Sequence, residues 1–271
     1  MTKIIFKFSL VISIAMLVCA CGQKKGNNID KAEIEFLENC RIIDDYRDYY
    51  YYEFNGNNFV KLLKKHPESM EYDFQLLRDS IYHFYFTDSD DGKIRAYFLD
   101  YGGTMHCVGL IAFQYKDNNG EVHTQQGSIY DIDETGAYHD TYFEGNCASD
   151  FNIFSLELAQ KTVYFVHHIH SYHFEGSEGY TAFVIDGNKL KRRVLFKDEK
   201  NISSSIGINF NYNLQCETNV GFGALIEFSE KDSIFYISVI NENDCPTDIY
   251  KSYQWDGKYF TYTGTGKLNS K

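Results

Sequence analysis

From about Ser80 to the end of the chain, apolar and polar residues alternate with a period of two, the pattern of strands that bury one face. Turn segments with glycine separate these runs, and they include Asp91-Gly92, Asn119-Gly120, Asp186-Gly187 and Asp256-Gly257. Glycine supplies the positive φ that a tight hairpin needs. Aromatic residues, which favour strands, make up 17% of the chain. The sequence therefore predicts a mainly β protein, an antiparallel meander of about twelve strands.

The predicted strands are Ser80 to Thr87, Lys93 to Asp100, Cys107 to Lys116, Glu121 to Tyr130, Lys161 to Phe174, Gly179 to Ile185, Lys189 to Phe196, Ile206 to Leu214, Ala224 to Ser229, Ser233 to Ile240, Ile249 to Trp255 and Lys258 to Tyr262.

Three aromatic segments precede turns at an interval of 70 residues, with Phe113, Phe183 and Tyr253 at matching positions. If this is a true repeat, each unit is a four-stranded antiparallel sheet. Three such units would form propeller-like blades, a sandwich or an irregular barrel. An aromatic-rich chain can also produce this spacing by coincidence.

The segment before the strands has a helical pattern over residues 30–67. Asp30 can cap a helix that runs to about Asp48, and Asn58 can cap a second from Phe59 to His66. We interpret the four tyrosines at 49–52 as a helix end packed on the sheet rather than a ligand platform. Residues 68–271 are then the all-β domain.

The first 21 residues have the pattern of an export signal. Lys3 and Lys7 precede an apolar run, Phe8 to Val18, which is about half the length that a membrane-spanning helix needs. The following Cys19-Ala20-Cys21 resembles the lipobox of bacterial lipoproteins. This resemblance implies removal of residues 1–20 and a lipid, such as palmitate, on Cys21. Cys21 fits better than Cys19 because Ala20 is small; the alternative is a plain signal peptide with Cys21 as an ordinary thiol.

Residues 21–29 read as a polar tether between the membrane and the folded part. Gln23 is not the Asp associated with inner-membrane retention in lipoproteins, so the resemblance implies an outer-membrane destination in a Gram-negative cell. A block formed by 89–97, 102–106 and 114–116 is also similar to one shared by uncharacterised bacterial lipoproteins, with which no activity is associated.

The net charge excludes some classes of partner. The formal charge is −12, and removal of Lys3 and Lys7 makes it about −14. Nucleic acid is an unfavourable partner because phosphate binding needs concentrated Lys and Arg. Anionic lipid gives no attraction either, so the N-terminal lipid is the predicted membrane contact.

Two kinds of segment could hold a metal, although we predict no cofactor. Alternation places His168 and His170 on one face of a strand, where they could begin a metal site that still needs a third ligand. The acidic segments Asp88 to Gly92 and Asp131 to Gly136 partly match calcium loops. The alternatives are hydrogen-bonded strand histidines and ordinary hairpin turns.

The sequence contains no serine-hydrolase elbow, phosphate-binding loop, zinc-protease helix or dinucleotide fingerprint. This favours a non-catalytic envelope module that binds a glycan, a peptide or a protein partner, or supports an assembly. Trp255 and Tyr259, beside a turn, are the candidate ligand contacts. The alternative is a periplasmic or surface hydrolase with a dispersed active site. Besides Cys21, five cysteines follow the signal segment, which leaves an odd number for disulfides.

Overall fold

The computed structural model describes residues 28–44, 50–53, 56–81, 84–100, 108–126, 151–172, 175–199, 201–211 and 225–267. The predicted export signal, Cys21, most of the tether and the Asp131 to Gly136 loop lie outside these residues. In the described part, no helix is both long and apolar enough to cross a membrane.

The described residues of the N-terminal region form three α-helices and one 3₁₀-helix. They are α1 (Asn28–Glu38), α2 (Gly56–Lys65), the 3₁₀-helix (Pro67–Glu71) and α3 (Gln75–Ser80).

The prediction that the first helix continues to about Asp48 is wrong. The helix ends at Glu38, and β1 (Arg41–Asp44) then pairs antiparallel with β2 (Tyr50–Glu53). Ile42 and Ile43 lie opposite two of the tyrosines in this hairpin. β-Branched and aromatic residues fit strands better than helices, which explains why the helix stops and why residues 50–52 lie in a strand.

Fifteen further strands form three sheets. They are β3 (Phe84–Asp88), β4 (Ile94–Asp100), β5 (Val108–Lys116), β6 (Val122–Gln126), β7 (Phe151–Leu158), β8 (Lys161–Tyr172), β9 (Glu175–Asp186), β10 (Lys189–Arg192), β11 (Phe196–Lys197), β12 (Ile202–Ser203), β13 (Ser205–Asn211), β14 (Ile226–Ser229), β15 (Ile234–Ile240), β16 (Pro246–Trp255) and β17 (Phe260–Lys267).

Each sheet contains a four-stranded antiparallel meander. The first sheet is β3-β4-β5-β6; the second is β7-β8-β9-β10, with β13 also on β9; the third is β14-β15-β16-β17, extended by β11 and β12. Among the strand pairs that the structure describes, only β11–β17 is parallel. The predicted mainly β, antiparallel fold is confirmed, and the described strands form no closed barrel.

The sheets stack as layers, with a hydrophobic core on each side of the first and second sheets. The first core joins the helices to the first sheet through Phe36, Phe59, Leu63, Phe74, Phe84 and Tyr97. The second joins the first two sheets through Phe98, Phe113, Tyr164, Val166 and Phe183. The third joins the second and third sheets through Phe165, Tyr180, Ala182, Phe235 and Phe260.

The acidic Asp88 to Gly92 turn links the first sheet to the second. Ser155 donates a hydrogen bond to Asp90 (2.6 Å), and the Tyr164 hydroxyl donates one to Asp91 (2.9 Å). The Arg95 guanidinium holds Asp88. Each of the three carboxylates therefore bonds a different protein group. They do not converge on one point as the ligands of a calcium ion would.

The positions spaced by 70 residues occupy equivalent strands. Phe113, Phe183 and Tyr253 lie in the third strands of their meanders, β5, β9 and β16. The register is not preserved, because Phe165 pairs with Ala182 whereas the residue 70 positions later, Phe235, pairs with Tyr253. The repeat stays a prediction.

Candidate ligand-binding cleft

A cleft of about 370 Å³ lies at the margin of the third sheet. Its lining combines two aromatic rings with charged and amide groups, and we call it the tyrosine cleft. The lining residues are Asp198, Glu199, Asn201, Lys251, Tyr253 and Tyr262.

Strand pairing places the two rings next to each other. Tyr253 of β16 and Tyr262 of β17 are cross-strand partners, and their ring centroids lie 5.7 Å apart at an interplanar angle of 56°. A bulge between Ser252 and Tyr253 shifts the register beside them. Bulges reorient neighbouring side chains, so this irregularity helps to set the angle between the rings.

The polar wall comes from the hairpin between β11 and β12. The short β11 pairs with β17 through Phe196 and Phe260, which brings the following turn alongside the sheet. In that turn Asp198 accepts the backbone N–H of Asn201 (2.7 Å) on its Oδ1. The Asp198 side chain thus stabilises the turn.

The electrostatics of the cleft favour the neutral form of Tyr253. Burial, followed by the charge of Asp198, raises the pKa of Tyr253 above its ordinary value. The Tyr262 hydroxyl shares a hydrogen bond with Thr265 (2.7 Å). Lys251 is exposed and lines the same cleft, so its ammonium group can reach a ligand there. The cleft therefore offers two ring faces together with one cation and two carboxylates.

Such a combination suits a polar ligand with apolar faces. Tyrosine provides a rigid ring with a polar end, and a few placed polar groups orient what lies on it. A sugar ring has both properties: its C–H face can lie on a tyrosine while its hydroxyls bond the carboxylates and the amide.

Trp255 and Tyr259, the predicted ligand contacts, flank the turn beside the cleft and are not part of its lining. Trp255 is half-buried, and its ring lies 5.2 Å from that of Phe260 in the third core. The Tyr259 backbone N–H donates to Asp256 (2.8 Å), and Lys258 Nζ lies 4.9 Å from the Tyr259 ring centroid. Their role in binding stays a prediction.

The two histidines proposed as metal ligands lie on β8. His168 is buried and pairs in register with Gly179, and His170 pairs with Ser177. The side chain of His170 lies outside the described part of the chain, and no further ligand for this pair is defined. The metal site at His168 and His170 stays a prediction.

The structure reveals a buried polar contact that the sequence does not indicate. The Glu178 carboxylate is completely buried and lies 2.9 Å from His167 Nε2. It also accepts the backbone N–H groups of Leu225 (3.1 Å) and Ile226 (3.3 Å). The His167 ring stacks on Tyr180 at 4.5 Å. With all these donors, Glu178 holds the second sheet against the third.

The two described cysteines differ. Cys40 is a free thiol whose pKa is raised to about 11 by burial, and Cys245 is disulfide-bonded. A high thiol pKa disfavours the reactive thiolate. Cys40 is therefore a poor nucleophile.

The chain matches no protein-family model, no curated protein and no solved structure.

Proposed function

We propose that this chain is a lipid-anchored lipoprotein of the cell envelope, and that its layered β domain is a non-catalytic module that binds a glycan through the tyrosine cleft. The observation that carries the glycan assignment is the pair Tyr253 and Tyr262, which presents angled ring faces beside carboxylates, an amide and an ammonium group. The anchor rests on the resemblance of residues 18–22 to a lipobox.

The anchor is tested by metabolic labelling of the full chain with radioactive palmitate. The Cys21→Ala variant is expected to lose the label and to leave the membrane fraction, whereas Cys19→Ala keeps both. Equal labelling of wild type and Cys21→Ala would refute the anchor. Density-gradient separation of the two membranes then tests the outer-membrane destination.

Glycan binding is tested with the detergent-solubilised chain on an array of envelope polysaccharides and oligosaccharides. For a glycan that binds, we expect Tyr262→Ala to weaken binding at least about tenfold, equivalent to about 1.4 kcal/mol. Tyr236→Ala is the matched control. This half-buried tyrosine of β15 alternates with the buried Phe235 and Ile237, so it lies on the face of the third sheet opposite to theirs. Tyr253 pairs with Phe235 and therefore lies on the other face.

Three outcomes count against the proposal. Equal binding by wild type and Tyr262→Ala would place the site elsewhere. Selective capture of a peptide through the same residues would replace the glycan as ligand. Release of new reducing ends from a bound glycan would establish the hydrolase alternative.

A further inference from the structure

The hairpin turn between β5 and β6 brings together three residues with metal-binding side chains. They are Asp117, Glu121 and His123, and their ligand atoms all lie within 4.8 Å of one another. This cluster is on the first sheet, whereas the tyrosine cleft lies on the third, and the two share no residue.

Asp117 is held in place by the turn. Its carboxylate is 7% exposed, and Oδ1 accepts the backbone N–H groups of Asn119 (2.8 Å) and Glu121 (2.9 Å). These contacts occupy one oxygen and fix the direction of the other. The carboxylate thus needs little rearrangement to act as a ligand through Oδ2.

His123 completes a pair of ligands at a suitable distance. Its Nε2 lies 3.1 Å from Asp117 Oδ2, and its ring contacts Tyr115 with centroids 5.6 Å apart. Two ligands on a tetrahedral zinc ion at about 2.0–2.2 Å lie roughly 3.3–3.6 Å apart, so this pair needs to open by only a few tenths of an ångström to share the ion. Glu121 is exposed and can close on the same ion.

We propose that Asp117, Glu121 and His123 bind a divalent transition-metal ion, with zinc as the best fit. One imidazole nitrogen with two carboxylates is a ligand set of such ions, whereas calcium and magnesium take oxygen ligands. Water fills the remaining coordination positions, so the ion stays accessible from solvent.

The test is isothermal titration of the metal-free, detergent-solubilised chain with zinc chloride, supported by native mass spectrometry. His123→Gln and Glu121→Gln are each expected to weaken one zinc site at least about tenfold, a loss typical even of outer-shell changes. Glu230→Gln, an exposed glutamate in the β14–β15 turn, is the control. Because the chain has nine histidines, only the difference between variants and control is diagnostic.

Thermal unfolding without metal checks that the variants fold. Unchanged zinc affinity in both variants would overturn the proposal and leave an ordinary Asp–His pair in a turn. Displacement of zinc by equimolar calcium would also overturn it, because a site with a nitrogen ligand should prefer zinc. Loss of glycan binding in Tyr262→Ala does not bear on this site, so the two proposals fail separately.

Discussion

His168 and Gly179 are cross-strand partners in β8 and β9, and the imidazole covers the glycine. A Cβ at Gly179 would lie 2.8 Å from His168 Nε2 and 3.1 Å from the backbone oxygen of Ile206. Gly179 does not have the left-handed φ that glycine favours. The glycine is therefore required for space.

Gly179→Ala is expected to lower the free energy of unfolding by about 1–3 kcal/mol, the usual cost of overpacking a core. The matched control is Gly266→Ala. An added Cβ there has no neighbour within 4 Å, and Gly266, like Gly179, does not have the positive φ that side chains rarely adopt. Urea unfolding measures both. Equal stability of the two variants would contradict the packing argument, and partial rescue by His168→Ala would identify the imidazole as the obstacle.

Glu178→Ala is expected to destabilise the protein by about 3 kcal/mol or more, because it leaves buried donors without an acceptor. Hydrogen exchange should accelerate at the amides of Leu225 and Ile226, which donate to this carboxylate. Glu227→Ala, on the exposed side of β14, should leave both measurements nearly unchanged. Protection of the two amides in Glu178→Ala would show that another group satisfies them.

Glu33 should make stability depend on pH. Burial raises the pKa of this carboxyl above 4.5, although it accepts hydrogen bonds from Tyr72 (2.6 Å) and from the backbone N–H of Leu77 (2.9 Å). A raised folded-state pKa means that the folded state binds the proton more tightly. The resulting stabilisation is complete below the unfolded-state pKa and is lost as pH rises through the folded-state value.

Glu33→Gln removes this ionisation and keeps an acceptor for the Leu77 amide. The unfolding free energy of Glu33→Gln relative to wild type should therefore increase between pH 4 and pH 8, measured by urea unfolding at each pH. Glu35→Gln, on the exposed face of α1, should show a smaller dependence. A relative stability that falls as pH rises would mean that the folded protein favours ionised Glu33.

Trp255→Ala is expected to lower stability by about 2 kcal/mol, less than the cost for a fully buried tryptophan, because the ring is half-buried against Phe260. Tyr259→Ala should change the melting temperature much less. Loss of glycan binding with an unchanged melting temperature would instead identify Trp255 as a ligand contact.

Local sequence patterns predicted most of the strands and their tight turns. Gly92, Gly120, Gly187 and Gly257, the predicted turn glycines, all have positive φ, since only local chemistry decides these turns. The strand Phe151–Leu158 was missed, and the first helix was predicted too long. In both cases the segment pairs with the next strand along the chain, and its β-branched and aromatic residues favour that pairing over a helix or a loop.

By itself, the sequence determined the period of the strands, the position of their tight turns and the acidic charge, because each depends on residues close together in the chain. Only the tertiary structure decided that three sheets stack as layers, that Glu178 bonds Leu225, and that Asp198 lies beside Tyr253 and Tyr262. These contacts join residues about 50 positions apart, and they form only when whole sheets bury their apolar faces against each other. No local pattern encodes which faces meet.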